Sequence, residues 1–267
     1  MILDKKMKLG SSNDEKAVKA QYSTSDSLNI RKAFHELYST NSQGYGNWIV
    51  SNYEITSGDR VLELGCGNGD IWLGHDDIIS RCQKLYLSDL SPGMLKAAKE
   101  NLGERDNIEY SVVDIQNIPF ADNGFDVIIA NSMLYHVKDL EKAIHEVRRV
   151  LKDKGVFYCA TLGENNFVET LAEWFKLGGE SFMPNHNFTL QNGKQILETG
   201  FSDIELRFYE DSLHITDIDD LINYLKSLNS LKTINDLPEV KIRKILSDHS
   251  EYGIIDLPKE YGMFICR

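Results

Sequence analysis

A chain of 267 residues, 42% of them hydrophobic, can bury a full core and is accounted for by one domain with additions. Its 41 acidic and 29 basic side chains give a formal charge of -12, which disfavours nucleic acid and anionic membrane surfaces as partners. No apolar run approaches the roughly 20 residues of a membrane-spanning helix, and the first residues lack a secretory signal, so we expect a cytoplasmic protein.

The amino-terminal segment is predicted to differ in kind from the rest of the chain. Residues 1–20 are polar, and we expect a flexible tail there. Residues 21–55 carry apolar side chains at helical spacing, and we expect them to form a helical lid over one sheet edge. The main domain would then comprise residues 56–267, with a variable cap region around residues 164–200.

Between about residue 60 and residue 161, short apolar runs alternate with helical patterns, which is typical of βα units and a parallel sheet. One helix is predicted to have Ser91 as its cap with Pro92 at its first position, and to end before Gly103. Another is predicted to begin at Asp139 and to stop at Gly155. The predicted strands cover residues 61–64, 85–89, 108–114, 125–130 and 156–161.

Beyond residue 161 the regular alternation lapses. An aromatic-rich stretch that includes Trp174, Phe175, Phe182 and Met183 comes first, and these side chains either wall a substrate pocket or pack a helical cap. We then expect a strand over residues 204–209, helices near residues 218–228 and 238–249, and a last strand over residues 261–266. The whole pattern predicts an α/β fold with helices on both faces of a mostly parallel sheet.

The strongest chemical signal is the run ELGCGNGD at residues 63–70, which follows the first strand and precedes a helix expected near Ile71. Three glycines at alternate positions let the backbone approach a ligand closely, which is more than a structural turn requires. The dinucleotide pattern G-x-G-x-x-G/A would place Asp70 where a small residue is needed and a diphosphate would bind. Because Glu63 adds negative charge, the loop favours a cationic ligand.

Two further carboxylates follow the second and third predicted strands. Asp89 can accept both hydroxyls of a ribose, although it could also simply begin a turn. Asp114 can accept from an adenine amino group while Ile115 covers the ring, or it could only cap its loop. Ligands of open parallel sheets bind at the carboxyl ends of the strands, so these acids together indicate a nucleoside site.

Because of the glycine loop, Asp89 and Asp114, the segment from Glu63 to Thr161 resembles the class I S-adenosylmethionine-dependent methyltransferases. It resembles particularly the small-molecule group that includes the ubiquinone/menaquinone-type enzymes. The resemblance implies a Rossmann-like fold with a seven-stranded sheet, its last strand antiparallel. It also implies S-adenosylmethionine as cofactor and S-adenosylhomocysteine as product. The cofactor-binding residues that it implies are Tyr38, Glu63, Gly65, Gly67, Asn68, Asp89, Leu90, Met94, Asp114, Ile115 and Asn131.

The resemblance also implies an in-line displacement, in which the acceptor atom attacks the methyl group opposite the departing sulfur. Orientation and exclusion of water can supply most of that acceleration. The candidate catalytic residues are His136 and Tyr135, just after the fourth predicted strand. His136 could act as a base for a protonated acceptor, or both could only orient and pack.

The acceptor is expected to be a small molecule, methylated on oxygen, nitrogen, sulfur or carbon. Nucleobase acceptors are disfavoured because Asn131-Ser132-Met133-Leu134 lacks an Asn/Asp-Pro-Pro-aromatic motif. A protein acceptor, a nicotinamide oxidoreductase and a non-catalytic nucleoside-binding protein remain alternatives. We expect no metal, because His75 and His186 lack neighbours at ligand spacing, and the four cysteines form no CxxC pair. The oligomeric state stays open.

Overall fold

The computed structural model describes residues 25–176, 186–227, 234 and 236–267, and a seven-stranded sheet forms its centre. The strand order is β3-β2-β1-β4-β5-β7-β6. Strands β1 to β5 pair in parallel, whereas β7 runs antiparallel to both β5 and β6. This arrangement confirms the predicted α/β fold. The strands are β1 (Arg60–Leu64), β2 (Lys84–Asp89), β3 (Ile108–Val112), β4 (Phe125–Ile129), β5 (Leu151–Leu162), β6 (Ile204–Ile215) and β7 (Ile255–Cys266).

Helices cover both faces of this sheet, and each face has its own apolar core. One core joins the sheet to α2 (Tyr45–Ser51), α3 (Asp76–Arg81) and α4 (Pro92–Leu102). The other joins it to α5 (Leu140–Val150) and α7 (Gly193–Leu197). The central strands β1 and β4 are buried on both faces and therefore consist mostly of consecutive apolar residues rather than alternating ones.

Two predicted helix starts are confirmed. The Ser91 hydroxyl accepts from the backbone N–H of Met94 and caps α4, which has Pro92 at its first position. Asp139 caps α5 through the N–H of Lys142. The Ser91 cap fixes the point at which the chain turns back along the sheet after β2, and the Asp139 cap does the same after the segment that follows β4.

The prediction that α5 runs to Gly155 is wrong. The helix ends at Val150, and Leu151 already pairs with Phe125 as the first residue of β5. Gly155 lies within that strand, where an added Cβ would stand 2.6 Å from Leu151 Cδ1 and 2.9 Å from the carbonyl oxygen of Asp126. The glycine is therefore required by close approach inside the sheet and not by a helix end.

The prediction of a helix that begins near Ile71 is also wrong in detail. Only a single 3-10 turn, Asp70–Trp72, follows the glycine loop, and α3 begins at Asp76. Gly74, with a φ of 81°, separates the two. A residue in the left-handed region interrupts the helical backbone, so the chain needs a second start.

A third apolar cluster lies beyond the sheet's two faces. It joins α1 (Ser25–Tyr38), α6 (Phe167–Trp174), α8 (Ile218–Ser227) and α9 (Glu239–Asp248) to the far ends of β6 and β7. Both of these strands are 12 residues long and extend well past the predicted segments. In the described part of the chain, no helix is long and apolar enough to cross a membrane.

Candidate functional site

A cavity of about 610 Å³ lies at the carboxyl ends of β1 to β4. In a parallel sheet this edge collects the loops that follow neighbouring strands, and ligands bind there. The volume is within the range of small-molecule sites. Nine of the residues predicted from the sequence line it, namely Gly65, Gly67, Asn68, Asp89, Leu90, Met94, Asp114, Ile115 and His136.

The three glycines of the loop after β1 all have positive φ, but the surroundings of Gly67 differ from those of the other two. A Cβ on Gly65 would stand 2.9 Å from Met133 Cγ, and one on Gly69 would stand 2.9 Å from Leu102 Cδ1. A Cβ on Gly67, whose φ is 57°, would meet no atom within 4 Å. Gly65 and Gly69 therefore serve packing, whereas Gly67 leaves backbone open to the cavity.

Asp89 fixes the glycine loop to the end of β2. Its two carboxylate oxygens accept from the backbone N–H groups of Gly67 at 3.0 Å and Ser91 at 2.7 Å. Burial raises the pKa of this carboxyl group, while the two backbone donors act in the opposite direction. Each oxygen keeps a further lone pair, so the carboxylate can still accept from two vicinal hydroxyls.

Asp114 and Ile115 follow β3 and form the next part of the cavity wall. Asp114 Oδ1 accepts from the backbone N–H of Gln116 at 2.9 Å, so this carboxylate caps its own loop as well as lining the cavity. Ile115 is 3% exposed, lines the cavity and belongs to the core that joins the sheet to α5 and α7. The wall here therefore combines the polar side chains of Asp114 and Gln116 with the apolar Val113 and Ile115.

Glu63 lies beneath the loop rather than on the cavity surface. Its side chain is 2% exposed, and its Oε2 accepts from Trp72 Nε1 at 2.6 Å. Burial raises the pKa of Glu63 to about 7, and the nearby carboxylates of Asp70 and Asp89 act in the same direction. The loop therefore stands over a buried acid whose ionisation a bound cation would favour.

Asn131 also supports the site from behind. Its Oδ1 accepts from the N–H of Ala160 at 3.3 Å, and its Nδ2 donates to the Tyr53 hydroxyl at 2.6 Å. Tyr53 and Trp72 were missed by the sequence reasoning. The position of Trp72, just after the loop, was a usable signal, but Tyr53 has no local signal because it precedes β1.

The segment after β4 forms another part of the cavity wall. Ser132, Met133 and His136 line it, and both ring nitrogens of His136 are buried. Tyr135 packs edge-on to His136, with ring centroids 4.5 Å apart, and contacts the core that joins the sheet to α5 and α7. Of the two proposed catalytic residues, the structure thus places His136 in the cavity wall and Tyr135 behind it.

Tyr38 lies away from this cavity. It packs in the third cluster, and its hydroxyl donates to Asp220 Oδ2 of α8 at 2.6 Å. Burial and Asp220 raise the pKa of Tyr38 to about 12. The tyrosine expected at the cofactor therefore joins α1 to α8 instead.

The charged residues lining the cavity are mostly acidic. In the ranges that the structure describes they are Asp70, Asp89, Asp114 and Lys138. The same ranges contain no group of three His, Cys, Asp or Glu side chains that could hold a metal ion. An acidic, glycine-lined cavity of this kind suits a cationic nucleoside better than a diphosphate.

This strand order and this cavity define a class I methyltransferase fold, and the comparisons with known proteins agree. Residues 62–159 match the family described as "Methyltransferase domain". Over these residues the chain is similar to known methyltransferase domains. The matched segment includes the glycine loop, Asp89, Asp114 and the segment after β4.

Two curated relatives illustrate this similarity. The chain is 36% identical over 104 residues to the ubiquinone/menaquinone biosynthesis C-methyltransferase of Klebsiella pneumoniae, covering 38% of this chain and 41% of that protein. It is 32% identical over 115 residues to the malonyl-[acyl-carrier protein] O-methyltransferase of Geobacter sulfurreducens, covering 43% of each. The chain thus spans about two-fifths of the length of these relatives.

Solved structures share the fold at low sequence identity. The BH2331 protein of Bacillus halodurans superposes with a TM-score of 0.58 at 17% identity, covering 84% of this chain and 98% of that one. The phosphoethanolamine N-methyltransferase 2 of Haemonchus contortus, in complex with S-adenosyl-L-methionine, gives a TM-score of 0.54 at 18% identity, covering 90% of this chain and 56% of that one.

Proposed function

We propose that the protein transfers the methyl group of S-adenosylmethionine to a nucleophilic atom of a small-molecule acceptor. The observation that carries the proposal is the order of groups along the sheet edge. Asp114 follows β3, Asp89 ends β2, the glycine loop follows β1 and Ser132 follows β4, and these strands are neighbours in that order. Carboxylates that can accept hydrogen bonds from a nucleoside lie at one end of this row, and the glycine loop and the segment after β4 lie towards the other.

The residues present fit the cofactor. Asp89 has lone pairs free for two ribose hydroxyls, Asp114 can accept from the adenine amino group, and Ile115 offers an apolar surface to the ring. The open backbone at Gly67 lets the chain lie close to the ligand. A sulfonium and an ammonium match the acidic lining, whereas a diphosphate would meet Asp70 and Asp89.

When bound, S-adenosylmethionine supplies an already activated methyl group. The protein must then orient the acceptor and exclude water, and these effects are worth large effective molarities. Because His136 lines the cavity after β4, it is the residue that we propose to receive a proton if the acceptor carries one. Tyr135 would hold the His136 ring by edge-on packing.

The proposal is tested by incubating the purified protein with methyl-labelled cofactor and a metabolite extract, followed by mass spectrometry. We expect labelled small molecules together with S-adenosylhomocysteine. Label on protein alone would favour a side-chain acceptor, and cofactor binding without turnover would favour a non-catalytic nucleoside-binding protein. An Asp89→Asn variant is the control, because its side chain keeps only one acceptor oxygen and so weakens the proposed ribose contacts.

The role of His136 has its own test. His136→Ala should reduce turnover at least about tenfold if the imidazole acts as general base, because general-base catalysis is worth at least that much. An unchanged rate removes His136 from proton transfer and leaves it as part of the wall. Cofactor affinity should be measured on the same variant, since a base that acts only on the acceptor leaves it unchanged.

A further inference from the structure

Gln116 is a cavity residue that the sequence reasoning did not select. It lies two residues after Asp114, in the loop that follows β3, and it lines the same cavity. Its side chain is half-buried and ends in an amide, which can donate and accept hydrogen bonds at the same time. Such a group can hold a carboxylate on one side and a backbone N–H on the other.

Among the residues that the structure describes, Gln116 makes every hydrogen bond to the Asp114 carboxylate. Its backbone N–H donates to Asp114 Oδ1 at 2.9 Å, and its side-chain Nε2 donates to the same oxygen at 3.2 Å. Nε2 also lies 3.4 Å from Oδ2, which is a longer contact. Because a carboxylate oxygen has about two lone-pair sites, Oδ1 is filled. Oδ2 is therefore the oxygen left to accept from a ligand in the cavity.

The other end of the Gln116 amide fixes its orientation. Its Oε1 accepts at 3.1 Å from the backbone N–H of Asp139, the residue that caps α5. A flipped amide would place Oε1 against the Asp114 carboxylate and Nε2 against an N–H donor, so both contacts would be lost. The Asp139 N–H therefore keeps Nε2 directed at Asp114. The same contact joins the loop after β3 to the end of the segment after β4, in which His136 lies.

We infer that Gln116 is a positioning residue that presents Oδ2 of Asp114 to the purine of the cofactor. The inference rests on the proposed function, because it concerns the base of S-adenosylmethionine or its product. An exocyclic amine donates to a carboxylate, whereas a keto oxygen at the same ring position offers only lone pairs and is repelled by it. By holding the carboxylate in place, Gln116 makes the site selective for adenine over hypoxanthine, its 6-keto counterpart.

Calorimetry on the full chain tests this inference with S-adenosylhomocysteine and S-inosylhomocysteine, which carries a keto oxygen in place of the adenine amine. We expect the wild-type protein to bind the adenosyl compound at least about tenfold more tightly, as for a hydrogen bond to a charged group. Gln116→Met keeps the length of the side chain and removes both of its amide contacts. It should weaken adenosyl binding about three- to tenfold and leave inosyl binding within about twofold, so the preference shrinks.

Gln116→Glu separates the two ends of the amide. Its carboxylate keeps an acceptor for the Asp139 N–H but sets a like charge against Asp114. Adenosyl affinity should therefore fall at least as far as in Gln116→Met, although the contact with Asp139 can remain. The variant thus also tests the inference if Gln116→Met fails to fold.

Gln191→Met is the matched control, because Gln191 makes the same kind of bridge elsewhere in the chain. Its Nε2 donates to Glu260 Oε1 at 3.0 Å, and its Oε1 accepts from the backbone N–H of Glu164 at 3.0 Å. Gln191 is not one of the residues that line the cavity. We expect both affinities of this variant to stay within about twofold of wild type.

Failure of the proposed function and failure of the role of Gln116 give different results. A wild-type protein that binds neither compound overturns both. Wild-type binding of the two compounds with equal affinity leaves methyl transfer in place and overturns the selective role alone. Equal weakening of the two compounds by Gln116→Met would mean that Gln116 only holds its loop, which also overturns that role. An unchanged preference in both Gln116 variants, or an equal loss in Gln191→Met, does the same.

Discussion

Replacing Glu63 with glutamine should stabilise the protein at neutral and alkaline pH, but not near pH 4.5. The buried carboxyl has a pKa of about 7 in the folded state, against 4.5 as its ordinary value, because burial disfavours the charged form. The folded state therefore holds a proton between pH 4.5 and 7 that the unfolded state has lost, so the unfolding free energy falls as pH rises through that range. A difference of about 2.5 pKa units corresponds to about 3 kcal/mol.

Urea unfolding of the ligand-free protein at pH 4.5 and pH 8 measures this difference. Glutamine keeps an oxygen for Trp72 Nε1–H, so Glu63→Gln should match wild type near pH 4.5 and exceed it by up to about 3 kcal/mol at pH 8. The exposed Glu100→Gln serves as control and should change stability by less than about 1 kcal/mol at either pH. A stability difference for Glu63→Gln that is equal at both pH values would refute the reasoning.

Three further predictions concern cofactor binding and folding stability. Asp89→Asn should weaken S-adenosylhomocysteine binding about tenfold by calorimetry, because an amide oxygen cannot replace both acceptors and one backbone donor loses its partner. Gly67→Ala and Gly58→Ala both place a Cβ in open space at positive φ, so each should lose about 1 kcal/mol of stability by urea unfolding, but only Gly67→Ala should reduce binding. Lys259→Met should cost about 3 to 5 kcal/mol because it leaves Asp211 buried and unpaired, and adding Asp211→Leu should recover much of that loss.

Local signals predicted the helix caps and the parallel strands well, since an N-cap or an apolar run is written in a few adjacent residues. The far halves of β6 and β7 were not predicted, because Asp211 and Lys259 are charged residues of the kind found in loops. In the structure they stand opposite each other in the ladder and form a buried ion pair. Ser39 completes that pair through hydrogen bonds from the amino-terminal region. Such a partner is 172 residues away from Asp211 and cannot be recognised from spacing.

The difference between local signals and long-range contacts also explains which parts of the site could be predicted from the sequence. The glycine loop, Asp89 and Asp114 follow successive strands, so a parallel topology alone brings them to one cavity. Tyr38 could not be placed in this way, because the direction of α1 is set by its packing on α8, where Asp220 is 182 residues distant.

The most direct test of the central claim is a calorimetric comparison of S-adenosylmethionine, S-adenosylhomocysteine and NAD on the wild-type protein. The acidic cavity at the ends of β1 to β4 predicts measurable binding of the first two and none of the dinucleotide. Binding of NAD with no response to either adenosyl compound would contradict the assignment of this cavity to a cationic nucleoside.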